Sequence, residues 1–211
     1  QVLREVLRRG RVRDGMVYLQ VTRGAFRRDH PIPGAVQRPT LIVTARGADP
    51  AVTAKKLREG IRVITQPDIR WGWRDIKTTQ LLPNLLAKTA AQRAGAGEAW
   101  LVDEDGFVTE GGSANAWIVT QAGEVLTHPL GRAILPGVTR AAVLAAAQAA
   151  GIAFAERRFT VPEAQGAREA FITSASGAAV PVVAIDGKPV GDGRPGPLTL
   201  ELQALYARMA P

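Results

Sequence analysis

Apolar and polar residues along the chain follow two different periods, and the mixture predicts an α+β fold. Val2, Leu3, Val6 and Leu7 fall at helical spacing and predict an opening helix, whereas the β-branched and aromatic residues at 15–22 predict a strand. Further helices are predicted at 50–59, 79–95, 138–150 and 198–209, and further strands at 40–44, 61–65, 99–102, 116–120, 124–126, 153–159, 169–173 and 180–184. Many short strands interspersed with helices are typical of a barrel-like sheet flanked by helices.

The longest predicted helix carries leucines at helical spacing. Leu81, Leu82, Leu85 and Leu86 are expected on its buried side, and Pro83 in its first turn, where proline is tolerated. We therefore expect this helix to pack its leucines against the sheet.

The composition changes at 47–50, which is the best candidate for a domain boundary. The chain then divides into a segment 1–49 and a larger domain 50–211. Its first residue is Gln1 rather than methionine, and a predicted helix begins at once. We therefore expect an upstream portion to be missing.

Composition and charge narrow the class of protein. The 211 residues are 46% hydrophobic and 22% charged, which is ordinary for a globular protein with a substantial core. The net charge of +8 comes largely from arginine and gathers locally at 8–13 and 23–28. Neither stretch has a zinc-finger spacing or a helix-turn-helix, so we expect no nucleic-acid partner and, instead, a surface that favours anionic substrates.

Several kinds of site are disfavoured. No apolar run is long enough to cross a bilayer and no signal-peptide pattern opens the chain, so we expect a cytoplasmic protein without a membrane partner. The chain has no cysteine, which excludes disulfides, thiolate metal sites and cysteine nucleophiles. Its only histidines are His30 and His128, so we expect no histidine-rich metal site and no Ser-His-Asp triad.

Three segments carry the candidate chemistry: a lysine, then a glutamate before paired glycines, then a glycine with a hydroxyl residue at a helix start. They are RWGWRDIKTTQLL (70–82), VTEGGSANA (108–116) and ILPGVTR (134–140). Lys77 precedes a predicted helix N-terminus, whose positive end disfavours an ammonium group, and an uncharged lysine amine can form a Schiff base. Taken alone, a lysine is usually an exposed surface residue, and Glu110 can equally be explained as a turn residue.

The helix that follows Gly137 offers free backbone N–H groups and a favourable dipole to a phosphate. Thr139 adds a hydroxyl. Plain helix capping accounts for the same residues, so this turn alone leaves both interpretations open.

Together these segments resemble the D-amino-acid and branched-chain aminotransferases, the fold type IV family of pyridoxal-phosphate enzymes, from Gln1 essentially to the C-terminus. The resemblance implies that 1–49 is the C-terminal part of a small α/β domain. It implies that 50–211 is the large cofactor-binding domain, a barrel-like pseudo-sheet flanked by helices. The upstream portion in this family holds an arginine that binds the phosphate and a tyrosine near the substrate carboxylate.

The resemblance implies that the cofactor is pyridoxal 5′-phosphate and that Lys77 bonds to its aldehyde. Glu110 would face the pyridine nitrogen and keep it protonated, so that the ring accepts electrons from the substrate α-carbon. Ser113 and Asn115 also match the family pattern, Asn115 as a supporting or turn residue.

The same resemblance assigns the remaining cofactor contacts. Leu135 would lie beside the ring, and Val138 and Thr139 would hold the phosphate at the helix start. A second phosphate contact is implied in the turn TSASG, where relatives often carry threonine at the position of Ala175 or Ser176. Of the hydroxyls in that turn, Ser176 is favoured.

The segment VTRGAFRRDH points to the substrate. Arg28 and His30 resemble the carboxylate-binding pair of D-amino-acid aminotransferases, and Tyr18 on the preceding strand could line the same pocket. The implied activity is transfer of the amino group of a D-amino acid, of the D-alanine or D-glutamate type, to a 2-oxo acid in a homodimer. The alternatives are a branched-chain L-amino-acid aminotransferase, an aminodeoxychorismate lyase on the same scaffold, and a remnant that binds no cofactor.

Overall fold

A computed structural model of the chain describes residues 1–32, 34 and 38–209. It divides into two compact units, Gln1–Thr53 and Ala54–Pro211. The boundary expected after residue 49 lies just before this division.

The first unit consists of a helix and a two-stranded hairpin: α1 (Val2–Gly10), β1 (Gly15–Thr22) and β2 (Thr40–Gly47). The hairpin is antiparallel, with Gly15 opposite Gly47 and Thr22 opposite Thr40. On α1, Glu5 accepts hydrogen bonds from the arginines one turn later, as i,i+3 and i,i+4 pairs do on a helix. None of the described side chains of this unit is fully buried. A short helix, α2 (Pro50–Glu59), spans the division between the units.

The second unit alternates strands and helices. In chain order they are β3 (Ile61–Pro67), α3 (Leu82–Arg93), β4 (Glu98–Val102), β5 (Val108–Gly111), β6 (Asn115–Val119), β7 (Val125–Thr127), α4 (Val138–Ala149), β8 (Phe154–Glu156), α5 (Val161–Gln165), β9 (Glu169–Ser174), β10 (Gly177–Ile185), β11 (Lys188–Pro189) and α6 (Pro197–Met209).

These strands form one mixed nine-stranded sheet, in the order β5-β4-β3-β10-β9-β6-β7-β8, with β11 paired to β10. Three neighbouring pairs are parallel, β10 with β3, β3 with β4 and β7 with β8, and the other pairs are antiparallel. The register of β6 and β9 sets Asn115 opposite Thr173. Two residues far apart in sequence therefore lie side by side at one end of adjacent strands.

Two aromatic pairs mark the two halves of the core. Trp100 and Phe159 meet edge to face with ring centroids 6.1 Å apart, and Trp117 stacks on Phe171 at 5.2 Å. All four side chains are fully buried. The second pair belongs to a cluster that includes Val143 of α4 and residues of α6, so these helices cover that part of the sheet.

The orientation predicted for the leucines of α3 is wrong. Its buried residues are Ala87 and Ala91, which pack with Ala99 and Leu101 of β4. The small alanine face allows the helix to lie close to the strand, which leaves the opposite, larger side chains outward. The four leucines are 48% to 67% exposed: Leu81, Leu82, Leu85 and Leu86. Among the described residues, no helix is long and apolar enough to cross a membrane.

Candidate active site

A cavity of about 760 Å³ opens in the second unit, at one end of the central strands. Four chain segments form its walls: the loop after β3 with the start of α3, the connection between β5 and β6, the turn before α4, and the end of β9. Its size is typical of a pocket for a small-molecule ligand. The three segments that the sequence singled out thus meet around one space.

Lys77 lies in the long loop between β3 and α3 and lines the cavity as an exposed residue. The helix after it begins at Leu82, later than predicted, with Pro83 in its first turn. The loop is fixed upstream of the lysine, where the Arg74 N–H donates to the Arg132 carbonyl at 3.0 Å. The Arg132 guanidinium also lies 4.2 Å from the centre of the Trp73 ring, close enough for a cation–π contact.

Glu110, at the end of β5, is 4% exposed and lines the same cavity. Its carboxylate accepts hydrogen bonds from the Asn115 amide at 2.9 Å, from the Leu135 backbone N–H at 3.2 Å and from Arg70. Burial raises the pKa of Glu110 to about 6, and the positive charge of Arg70 opposes that rise. Glu110 is therefore a strand residue in a built polar site rather than a turn residue.

The paired glycines after Glu110 pass close to α3. The Gly112 carbonyl accepts from the Asn84 amide at 2.9 Å, and a side chain at Gly112 would lie 3.1 Å from the aliphatic part of Lys88. Ser113 and Lys88 both donate to the buried carboxylate of Glu98 at 2.9 Å. These bonds hold this part of the cavity wall in place.

The N-terminus of α4 opens into the cavity without a side-chain cap and without an acidic residue in its first turn. Thr139 is 5% exposed there, whereas Val138 is 81% exposed and Leu135 partly buried. A side chain on Gly137 would come within 3.0 Å of the Asn115 amide oxygen, so the turn needs glycine for close approach. An uncapped helix end of this kind is suited to bind an anion.

The end of β9 contributes Thr173, Ser174 and Ala175 to the cavity wall. Ser176, the hydroxyl favoured from the sequence, is exposed and is not among the residues that line the cavity. Its hydroxyl lies 3.2 Å from that of Ser174, which does line the cavity. This geometry favours Ser174 over Ser176 as a direct contact to a bound group.

The three predicted substrate residues belong to the first unit. Tyr18 lies on β1, is 51% exposed, and its hydroxyl donates to Gln20 at 2.8 Å. Arg28 and His30 follow in the loop between β1 and β2 and are exposed as well. The walls of the cavity described above come from the second unit.

Sequence reasoning missed the charged residues behind Glu110, namely Asp68, Arg70 and Arg74. Arg70 stands in a segment that was singled out, but its partner Glu110 is 40 positions away in sequence. Spacing signals act within a few residues and cannot report such a contact. Nothing in the chain's local pattern distinguishes Arg70 from a surface arginine.

The model of the family described as amino-transferase class IV matches residues 1–185 of the chain. The chain belongs to the class IV aminotransferases. D-alanine aminotransferases from Staphylococcus haemolyticus and Bacillus licheniformis are 39% and 41% identical to it, over 96% and 95% of this chain and 70% and 69% of theirs.

Solved structures agree with this family membership. The T.th. branched-chain amino acid aminotransferase, solved with pyridoxamine 5′-phosphate, matches with a TM-score of 0.82 and 28% identity, over 98% of this chain and 68% of that one. The branched-chain enzyme of Escherichia coli matches with a TM-score of 0.83 and 24% identity, over 99% and 69% of the two chains. The fold is that of the fold type IV aminotransferases, mixed α+β with a curled half-barrel sheet, as the sequence predicted.

Class IV aminotransferases use pyridoxal 5′-phosphate, and the cavity fits this cofactor. Three groups line the cavity. Lys77 supplies a primary amine that can bond to an aldehyde, and Glu110 supplies a buried carboxylate that can pair with a protonated ring nitrogen. The helix that begins at Val138 supplies an uncapped N-terminus that can bind a phosphate. The described residues hold no cluster of three or more His, Asp or Glu that could bind a metal ion. The donor set matches an aldehyde cofactor with a phosphate.

Proposed function

We propose that this class IV aminotransferase moves the amino group of a D-amino acid, of the D-alanine or D-glutamate type, to a 2-oxo acid. The observation that carries the transaminase assignment is that Lys77, Glu110 and the uncapped start of α4 line one cavity. Bound pyridoxal phosphate supplies an electron sink for the electron pair left when the substrate α-carbon loses its proton.

Each residue has a distinct task in this proposal. Lys77 would hold the cofactor through its aldehyde, and its amine, when free, would remove the proton from the substrate α-carbon. Glu110 would accept the hydrogen bond of the ring N–H and keep that nitrogen protonated. The N–H groups at the start of α4, with Thr139 and Ser174, would hold the phosphate, and Leu135 would line the ring site.

The choice of a D-substrate rests on two supports. The curated relatives that are 39% and 41% identical are D-alanine aminotransferases. The pair Arg28 and His30 supplies a guanidinium fork and an imidazole, which suit a flat carboxylate. We propose that this pair, with Tyr18, binds the substrate α-carboxylate and so selects the D-enantiomer.

The assay that tests this proposal measures turnover of D-alanine, D-glutamate and their L-isomers, with 2-oxoglutarate or pyruvate as the amino acceptor. Arg28→Ala is expected to lose about 2–4 kcal/mol of transition-state stabilisation, the scale of a charge-assisted carboxylate contact. Arg27→Ala, a neighbouring exposed arginine, is the matched control and should retain activity. Equal losses in both variants, or unchanged kinetics of Arg28→Ala with D-alanine, would remove Arg28 from the substrate site.

A branched-chain L-amino-acid aminotransferase is the second candidate, because the structural matches described above are enzymes of that name. The two candidates differ in the handedness of the donor. If L-leucine or L-valine is consumed faster than D-alanine, the branched-chain assignment replaces the first one.

We also propose that the enzyme is a homodimer, with its contact near the exposed leucines of α3. Leu82, Leu85 and Leu86 are 67%, 59% and 55% exposed on a helix that also borders the cavity. Contiguous exposed apolar side chains mark a surface that another molecule covers. Leu85→Asp should yield monomers in analytical ultracentrifugation, whereas Leu200→Asp on α6 should not. An active monomeric wild type would refute the proposal.

A further inference from the structure

Four charged side chains form a chain of contacts at the cavity wall, and only one of them, Glu110, has a role in the proposed reaction. In order they are Arg74, Asp68, Arg70 and Glu110, with side chains 18%, 0%, 8% and 5% exposed. Two are positive and two negative, so the cluster is neutral when all four are ionised. Such a buried arrangement is costly unless its members are paired.

Asp68 fixes the plane of the Arg70 guanidinium. The Arg70 Nε donates to one oxygen of Asp68 at 2.9 Å and its Nη2 donates to the other at 2.7 Å. The Thr109 hydroxyl donates to the same carboxylate at 2.7 Å. Because two parallel bonds hold one edge of the fork, the remaining Nη1 has a defined direction, and its acceptor is Glu110.

Arg70 is the charged group that contacts Glu110. Within the part of the chain that the structure describes, the other elements around it contribute only neutral donors, the Asn115 amide from β6 and the Leu135 N–H from the turn before α4. The loop after β3 contributes the charges. Arg70 contacts Glu110 directly, whereas Arg74 contacts Asp68, with its Nε 3.5 Å from that carboxylate.

We propose that Arg70, held in place by Asp68, is a positioning residue that keeps the Glu110 carboxylate ionised and directed into the cavity. This inference rests on the proposed role of Glu110 beside the pyridine nitrogen. An ionised carboxylate both accepts the hydrogen bond of a protonated ring nitrogen and balances its positive charge, whereas a neutral carboxyl can accept the bond but supplies no charge to keep the nitrogen protonated.

The electrostatics are consistent with this geometry. Burial raises the pKa of Glu110, and Arg70 is the main group that opposes the rise. Burial alone would also raise the pKa of Asp68, but its hydrogen bonds with Arg70 and the charge of that arginine hold it below the ordinary value. Asp68 therefore stays ionised and can accept both hydrogen bonds from Arg70. Without the guanidinium, no positively charged group among the described residues would contact Glu110.

The test titrates Glu110 itself, by ¹³C NMR of the apoprotein labelled at the glutamate side-chain carboxyl, with Glu110→Gln to assign the signal. The wild-type midpoint is expected near pH 6 or below. Arg70→Met should raise it by about one pH unit or more, the scale expected when a contacting opposite charge is lost. Arg74→Met, which removes an arginine that pairs with Asp68 and not with Glu110, is the matched control and should shift the midpoint far less. In the holoenzyme, the acidic limb of the pH–rate profile should move upward in Arg70→Met in parallel.

Three results would overturn the proposal: a wild-type midpoint above about pH 7, a folded Arg70→Met with the wild-type midpoint, or equal shifts in the two arginine variants. If Arg70→Met does not fold, Arg70→Lys replaces it. A lysine ammonium cannot donate to both Asp68 oxygens and to Glu110 in one plane, so it replaces the guanidinium only in part. We therefore expect a smaller rise in the Glu110 midpoint, and an unchanged midpoint counts against the proposal. The titration needs no turnover. If the midpoints move as expected but Glu110→Gln stays fully active, the proposed role of Glu110 fails while the inference about Arg70 stands.

Discussion

Replacing Gly137 with alanine should damage the cofactor site through one identifiable neighbour. Gly137 has φ −65° and ψ 133°, a conformation open to any residue, so backbone strain is not the cause. The cause is space, because the added methyl would come within 3.0 Å of the Asn115 amide oxygen. Asn115 is 5% exposed, and its amide nitrogen donates to Glu110 and to the Leu135 carbonyl, both at 2.9 Å.

The magnitude follows from those two bonds. If Asn115 is displaced, a hydrogen bond to a charged group and one to a neutral group are lost, about 2–4 kcal/mol together. If the turn moves instead, the N–H groups of α4 leave the phosphate position. Either way, apoprotein stability and cofactor affinity should together fall by that amount, which is roughly 30- to 1000-fold if it appears wholly in the dissociation constant of pyridoxal phosphate.

A double-mutant cycle isolates the contact. Denaturant unfolding of the apoprotein and absorbance titration with pyridoxal phosphate are measured for Gly137→Ala, Asn115→Ala and the double variant. In the Asn115→Ala background the added methyl has lost its obstacle, so Gly137→Ala should cost less than about 1 kcal/mol there. Gly166→Ala, where a methyl makes only ordinary contacts, is the control. An equal cost of Gly137→Ala in both backgrounds would refute the reasoning.

Four other predictions concern residues in or next to the cavity. Borohydride reduction and peptide mapping should place the cofactor on Lys77, and an adduct on another lysine would contradict its assignment. Glu110→Gln should retain the cofactor but slow turnover by about 100-fold or more, because an amide cannot keep the ring nitrogen protonated, and near-wild-type kinetics would exclude that role. Because burial raises the pKa of Glu110 to about 6, its ionisation destabilises the folded apoprotein. Relative to Glu110→Gln, wild type should lose about 2 kcal/mol of folding free energy between pH 4 and pH 7, measured by denaturant unfolding, and a parallel pH dependence would contradict this. Ser174→Ala should weaken binding of pyridoxal phosphate more than Ser176→Ala, and the reverse order would restore the sequence-based choice.

Local signals in the sequence predicted much of the element order. The bounds of β1 and α2 agree with the predicted ranges to the residue, since glycine and proline mark their starts. The helix α5 was missed although its signal is present. Thr160 and Glu163 form a capping box there, a pattern that a sequence shows directly, but the five-residue helix is too short for apolar periodicity.

The outward leucines of α3 show where local patterns fail. Leucine at helical spacing predicts an apolar stripe, but the stripe does not say which partner it meets. Here Ala87 and Ala91 face the sheet of the same unit, and the leucines do not. Periodicity counts apolar residues on each face and is blind to how closely a partner approaches, which the small alanines decide.

In the candidate site too, local motifs indicate some residues, whereas others depend on tertiary contacts that the sequence does not show. Lys77, Glu110 and Thr139 were singled out because motifs place them in recognisable local settings, and all three line one cavity, although their roles remain predictions. The choice among the hydroxyls of the TSASG turn depended on side-chain direction, which a sequence does not give. Arg70 was missed because its significance arises only when the sheet brings β5 beside the loop after β3.

Asn115 links the two ends of the cavity and explains why they act as one site. A phosphate requires a positive environment, which the uncapped start of α4 supplies, while a protonated ring nitrogen requires the negative charge of Glu110. Asn115 bonds to Glu110 with its amide nitrogen, and the same amide approaches the turn at Gly137 so closely that no side chain fits between them. A shift of the phosphate end is therefore transmitted to the carboxylate at the other end, so substitutions at either end should change both cofactor affinity and the ionisation of Glu110.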